Sequence, residues 1–409
     1  MPKVLGIDAS RAIKKEKTGV EWYSYFLLRA MEKCTPEGWK VRLYTPQMEN
    51  EEWRMKNGNW EWKVLKWIGR GWTQGRLSLE MMFNKPDVLF VPAYTIPFVH
   101  PKNTVVTIHD VIFLLQPDLY DAADLKRQRR SLNMALKGAR QIIVPSKATR
   151  DDLVHVGVKE ERIAVIPHGV EKGDRPLFDS KRGLSPFSGF ILFISRLEKK
   201  KNVLGLIRAF RRLIDNAPQP PLTLRGGDSL QANGGVTSDL KLILAGQLGY
   251  GGDEILHAIN TLKLQDHVLH LGWTSREQYF ELLKNAALLM LPSFGEGFGL
   301  PVLEAMAAGV PVVCSAIPAL HEVGGEAAYY VDSQNSEDIA RGMAEVLHNT
   351  KLRQEMISKG KERAREFSWD KAARETWNTI TSLCIPLEAA VAIVAGHDIY
   401  AKDQFIKYK

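Results

Sequence analysis

The chain has 409 residues, 45% hydrophobic and 25% charged, which excludes a disordered polymer and exceeds one ordinary core. The net charge of +8 admits an anionic partner, but the basic residues are dispersed, densest at Lys199-Lys200-Lys201, and no nucleic-acid module accompanies them. Three scattered cysteines and the lack of any run of 18 apolar residues exclude a disulfide framework and a membrane-spanning helix, so the chain reads as soluble and cytoplasmic.

Short apolar runs alternate with amphipathic stretches from the N-terminus onward. Val4–Ala9, Lys40–Thr45, Asp87–Pro92, Thr104–His109, Gln141–Pro145 and Arg162–Ile166 read as strands. Val20–Lys33 and Ala123–Lys137 read as helices, the second from Leu125, Leu132 and Leu136 at helical spacing. Trp53, Trp60, Trp62, Trp67 and Trp72 are interleaved with Arg54, Lys56, Lys63, Lys66 and Arg70. Core packing is the plain reading of that segment; a belt facing a membrane surface or an acceptor sugar is the other. Residues 171–188, rich in Pro, Gly, Asp and Ser, read as a linker.

The rhythm then restarts with Phe190–Ile194, Lys241–Ala245, His267–Leu271, Leu288–Leu291, Val310–Cys314 and Ala328–Val331 as strands. Helical patterns at Val203–Ile214, Arg276–Leu283 and Glu337–Leu347 separate them, and a polar insert at 216–239 reads as a surface loop. Strands of near-continuous hydrophobicity belong in parallel sheets covered by helices on both faces. The expectation is an α/β protein of two Rossmann-like domains, 1–172 and 189–366, joined by a linker at 173–188. A helical tail, 367–409, carries Trp369 and Trp377 and is expected to cross back to the first domain. Two open sheets facing each other predict a ligand in the cleft between them.

Ser293–Pro311 is the segment richest in chemistry. A strand ends in a loop bearing Gly295, Gly297 and Gly299, and Pro301 then stands where a first helical turn begins. The open N–H groups of such a turn bind anions or hydroxyls, and glycines let a ligand approach the backbone. Glu296 and Glu304 flank the loop, and a carboxylate can accept from both hydroxyls of a diol. Elsewhere, Ser195-Arg196 ends a strand and Lys201-Asn202 follows, a fork and a point charge suited to a diphosphate. Lys199 and Lys200 stand beside that lysine and share its register. His109-Asp110 closes a first-domain strand, and Thr18-Gly19-Val20 opens the first helix without a GxGxxG dinucleotide fingerprint.

Glu296, seven intervening residues and Glu304, with GFGLPVLEAMAAG in register, closely resemble the EX7E motif of family 4 glycosyltransferases. The resemblance covers about residues 1–380 and implies the GT-B fold, retention of anomeric configuration, and neither metal nor cofactor beyond a nucleotide-sugar substrate. It puts Glu296 against the donor sugar and Glu304 on the nucleotide ribose. Backbone N–H groups of Phe298, Gly299 and Leu300 would meet sugar hydroxyls and phosphate. Arg196 and Lys201 would hold the β-phosphate, with Ser195 and Gly19 beside it and Gly246 near the base. His109 would reach the donor sugar, with Asp110 orienting it or touching the acceptor; this HD pair is common among mannosyltransferase-like members. Pro167-His168-Gly169-Val170 and Ser146 are read as structural landmarks first.

The expected partners are a nucleotide-sugar donor and a glycan or lipid-linked acceptor, with peripheral contact at the inner membrane face as an added reading and no nucleic acid. The rivals are a sugar-nucleotide epimerase of the same fold and a non-catalytic sugar-binding protein.

Overall fold

In the computed structural model the described residues are 1–47, 57–67, 69–171, 189–216 and 240–384. The linker read at 173–188, all but Asn216 of the insert read up to 239, the tail beyond Cys384, and Trp53, Arg54 and Lys56 lie outside them.

Two parallel sheets organise the chain. The first holds β1 (Lys3–Asp8), β2 (Trp39–Thr45), β3 (Trp60–Val64), β4 (Val88–Val91), β5 (Thr104–Thr107), β6 (Gln141–Val144) and β7 (Ile163–Val165), in spatial order β3-β2-β1-β4-β5-β6-β7. The second holds β8 (Phe190–Ile194), β9 (Leu242–Ala245), β10 (Val268–Gly272), β11 (Ala286–Leu291), β12 (Val312–Ser315) and β13 (Tyr329–Val331), in order β10-β9-β8-β11-β12-β13. Every pairing in both sheets is parallel. Leu5, Val41, Phe90 and Val105 bury one face of the first sheet, and Leu89, Val91, Val106 and Val144 the other. Helices on both faces account for central strands of near-continuous hydrophobicity.

Among the strands, β3 is the one that sequence patterning passes over, because Trp60-Glu61-Trp62-Lys63-Val64 looks like an aromatic–basic belt. It is an edge strand, with Trp60 buried and its Nε1–H donating to Thr35 Oγ1 at 2.7 Å. Trp72 is buried too, donating to the Leu65 carbonyl at 2.9 Å, whereas Trp67 stays 41% exposed. A membrane-facing role for Trp72 is thereby corrected: its indole belongs to the first-domain core.

After the second sheet the chain returns. The helix Trp369–Ser382 packs against the helix Gly19–Lys33, with Trp377 buried beside Trp39 and its indole N–H donating to the Met31 carbonyl at 3.0 Å. Where it crosses, Val170 pairs with Ser368, and a Cβ on Gly169 would lie 2.1 Å from the Trp369 nitrogen. Only glycine fits that contact between the two crossings.

Each sheet has one place where strand order reverses, between β1 and β4 and between β8 and β11. In open parallel sheets the crevice at that reversal receives ligands. Ser195 and Arg196 follow β8, Ser293–Gly299 follows β11, and the turns after β1 and β4 form the opposing wall.

Candidate active site

The glycine loop after β11 is built to be approached. Gly299, at φ +106°, turns the chain into the helix Leu300–Ala308, with Pro301 in its first turn. Val302 and Leu303 N–H fold back on the Gly299 carbonyl, Pro301 has no N–H, and the N–H of Leu300 has no backbone partner among the described residues. Phe298 is buried against the His168 ring at 4.7 Å. A Cβ on Gly297 would lie 1.7 Å from the His109 carbonyl oxygen, so the seam between the domains admits no side chain here. Ser146 Oγ and Thr149 Oγ1, at the start of the helix Lys147–His155, donate to the Gly297 carbonyl at 2.7 and 3.1 Å. Glu322 of the second domain in turn accepts from the Lys147 and Ala148 N–H groups at 2.8 and 2.6 Å. The two domains are closed on one another.

Within that seam lies a cleft of about 930 Å³, lined among others by His109, Asp110, Tyr94, Arg196 and Lys200. His109 Nε2 faces the Pro92 carbonyl at 3.2 Å. A carbonyl can only accept, so Nε2 keeps its hydrogen, and burial pushes the imidazole pKa down, leaving it neutral. Asp110 does not orient His109. Its Oδ2 takes Lys200 at 3.3 Å across the seam and its Oδ1 accepts from Ile112 N–H. Burial works against that carboxylate, but Lys200 and the Ile112 N–H outweigh it and hold it below the usual range. Burial likewise opposes the charge on Lys200, yet Asp110 and its neighbours raise its pKa well above normal.

The three consecutive lysines thus divide their work. Lys199 Nζ donates to the Asp118 carbonyl and Lys200 joins Asp110. Lys201 donates to both oxygens of Glu296, at 2.6 and 2.8 Å, and Ser293 Oγ donates to the same carboxylate at 2.7 Å. Arg196 is 59% exposed and only 3.9 Å from Glu198 in its sole ion pair among the described residues. Ser195 and Gly246 form a backbone contact: a Cβ on Gly246, at φ +146°, would meet the Ser195 carbonyl at 1.9 Å. Gly19 begins the first helix, with nothing within 4 Å of where its Cβ would stand. Among the described residues no cluster of three or more His, Cys, Asp or Glu is disposed to hold a metal ion.

Glu304 is held by residues that sequence reasoning missed. Arg276 Nη2 donates to its Oε1 at 2.7 Å, and the Tyr279 hydroxyl donates to its Oε2. The one signal was their placement three apart at the start of a helix, which shares a face but names no partner. Lys200 was visible only as a register neighbour of Lys201.

Residues 17–173 match the family described as Glycosyltransferase Family 4, and residues 174–363 match Glycosyl transferases group 1. The O-antigen chain mannosyltransferase B of Escherichia coli is 26% identical over 284 residues, 68% of this chain and 70% of its own. Sucrose-phosphate synthase from Thermosynechococcus elongatus superposes with a TM-score of 0.70 at 16% identity, covering 93% of this chain and 99% of its own. The HepE protein of Anabaena, solved in complex with UDP-glucose, superposes with a TM-score of 0.65 at 18% identity, covering 93% and 100%. Two reversal-point crevices, the EX7E carboxylates and both family matches lead to one conclusion: the chain is a family 4, group 1 glycosyltransferase of the GT-B fold.

Proposed function

We propose that the chain transfers a hexose, with mannose favoured, from a nucleoside-diphosphate-sugar to a hydroxyl of a glycan or lipid-linked acceptor. The transfer retains anomeric configuration and uses no metal. What carries this reading is that Arg196 and Lys200 of the second domain and His109 of the first line one cleft, with the Lys201–Glu296 pair following directly on Lys200. The mannosyltransferase name of the Escherichia coli relative supports the sugar, and the UDP-glucose complex of HepE supports a nucleotide-sugar donor.

In this reading the donor diphosphate lies over the Leu300 N–H, with Arg196 and Lys201 supplying the positive charge that a metal supplies in other transferases. Lys201 then shares its charge between Glu296 and phosphate. His109, neutral, accepts from a sugar hydroxyl through Nδ1, while Glu296 lies against the sugar. The acceptor oxygen attacks the anomeric carbon from the face the diphosphate leaves. The C–O bond to phosphate breaks as the new C–O bond forms, and the acceptor proton passes to the departing phosphate oxygen. Peripheral membrane contact rests on Trp67 alone among the described tryptophans of its segment, and unchanged liposome binding by Trp67→Ala would remove it from the reading.

The test is a melting-temperature screen with UDP, GDP, ADP and CMP and their sugar conjugates, with EDTA throughout. One nucleoside diphosphate that stabilises the protein despite EDTA supports the reading and fixes the base; no shift with any of them overturns the donor site. Incubation with that donor alone separates transfer from epimerisation, since an epimerase converts the donor without an acceptor.

A further inference from the structure

Arg276 occupies a position that neither the motif nor the donor reading requires. It starts the helix Arg276–Asn285 after β10, in the second domain. Its guanidinium sits among four rings: Phe280 at 4.3 Å, Trp22 at 4.9 Å, Tyr279 at 5.0 Å and Phe26 at 5.2 Å. Tyr279 and Phe280 belong to its own helix. Trp22 and Phe26 stand four apart on the first helix of the opposite domain, their rings stacked at 5.4 Å. The same group donates to Glu304 at 2.7 Å and lies 3.3 Å from Glu171 at the end of the first-domain segment. Its Nε is buried without a hydrogen-bond partner among the described residues. The rings, and not a full set of acceptors, therefore hold the plane of the fork.

Among the described residues each oxygen of Glu304 is engaged once, by Arg276 and by Tyr279. A carboxylate offers about four lone-pair sites, so two remain for a vicinal diol. The planar fork of Arg276 fixes which two. Half of the socket that fixes Arg276 is supplied by the other domain. Opening of the cleft would strip Trp22 and Phe26 from the guanidinium and hydrate it, leaving the fork free to turn against Glu304.

We propose that Arg276 is a positioning residue that ties recognition of the donor's ribose to closure of the two domains; this rests on the assignment of Glu304 to the ribose. Ribose binding and closure then favour each other by the same factor, as linkage requires.

The experiment compares binding of a nucleoside diphosphate with its 2′,3′-dideoxy analogue by calorimetry, using the base found in the melting screen. Wild type, Arg276→Met, Arg276→Lys and Trp22→Leu are measured side by side. The wild type is expected to favour the ribonucleotide by about tenfold or more, the worth of hydrogen bonds to a charged acceptor. Arg276→Met is expected to bring that ratio close to one while leaving affinity for the dideoxy analogue unchanged. Trp22→Leu, which leaves Glu304 and Arg276 in place, is expected to fall between. Arg276→Lys keeps the charge without the fork, and it too should lose most of the discrimination. It also serves as the second variant in case the methionine substitution unfolds the chain. Undiminished discrimination in Arg276→Met or Arg276→Lys overturns the proposal and leaves the donor reading intact. A wild type that binds the two analogues equally removes Glu304 from the ribose and takes the proposal with it. No binding of any nucleoside diphosphate overturns the donor reading itself.

Discussion

The hydroxyl of Ser146 in the first domain donates to the carbonyl of Gly297 in the second at 2.7 Å, so the glycine loop is fastened from across the cleft. The same oxygen also caps its own helix, accepting from Thr149 N–H at 3.0 Å. Ser146→Ala removes both bonds. It should lower stability by about 1–2 kcal/mol, the range of an N-cap loss, with Ser146→Thr recovering most of it. Denaturant midpoints of the three proteins check this.

Gly297→Ala should act on chemistry more than on folding. A methyl group 1.7 Å from the His109 carbonyl cannot be accommodated with the seam closed. The second domain keeps its fold, but the loop and His109 move apart. Misplacement of about 1 Å is enough to cost roughly 100-fold in rate. Turnover should fall by at least about that factor while nucleotide still raises the melting temperature; near-normal turnover would show that the closed seam is not the working state.

Arg196 is exposed and loosely paired, hence free to meet charge that develops on a leaving diphosphate. Arg196→Ala should lower kcat by far more than it weakens nucleotide binding. Equal losses in both would mark it as a ground-state anchor.

His168 supplies a pH dependence. It is 5% exposed, ringed by Tyr23, Phe298, Trp369 and His109, and neither ring nitrogen has a hydrogen-bond partner among the described residues. Burial, helped by His109, pushes its pKa well below the ordinary 6.5. The unfolded chain therefore takes up a proton near pH 6.5 that the native chain refuses. The stability this ring contributes is present above that pH and is lost as pH falls toward the depressed native value, by about 1.4 kcal/mol per unit. His168→Phe should flatten the fall measured between about pH 7.5 and 5.5, with little loss at the upper end. An unchanged slope would mean that the ring titrates normally.

Trp377 anchors the returning helix, 2% exposed against Trp39. Trp377→Ala should destabilise the first domain by about 3–5 kcal/mol, as for other buried tryptophans. The sign to look for is a separate, earlier unfolding transition.

Both βα series were legible because buried parallel strands such as Phe190–Ile194 and Gln141–Val144 are near-continuously apolar and bounded by turn residues. The glycine loop was legible because Gly299 and Pro301 mark a strand-to-helix junction locally. Glu296 could be named, but its pairing with Lys201, 95 residues away, could not. The same holds for Asp110, read either as orienting His109 or as touching the acceptor, which the fold pairs with Lys200, 90 residues away. Neighbours in the chain are visible in a sequence; partners brought together by two sheets meeting face to face are not. The strand β3 was missed because its alternating tryptophans carry an edge-strand pattern that reads equally as a surface belt.

The helix Trp369–Ser382 has a consequence for biosynthesis. Trp369, Ala372, Ala373, Trp377 and Ile380 complete the same core as Leu5, Ile7 and Leu27. A ribosome that has finished the first sheet has therefore not finished the first domain. That core stays open along the Gly19–Lys33 helix until the whole second domain has been made. The second domain, contiguous in sequence, can fold first, and the part of the protein translated earliest is sealed last.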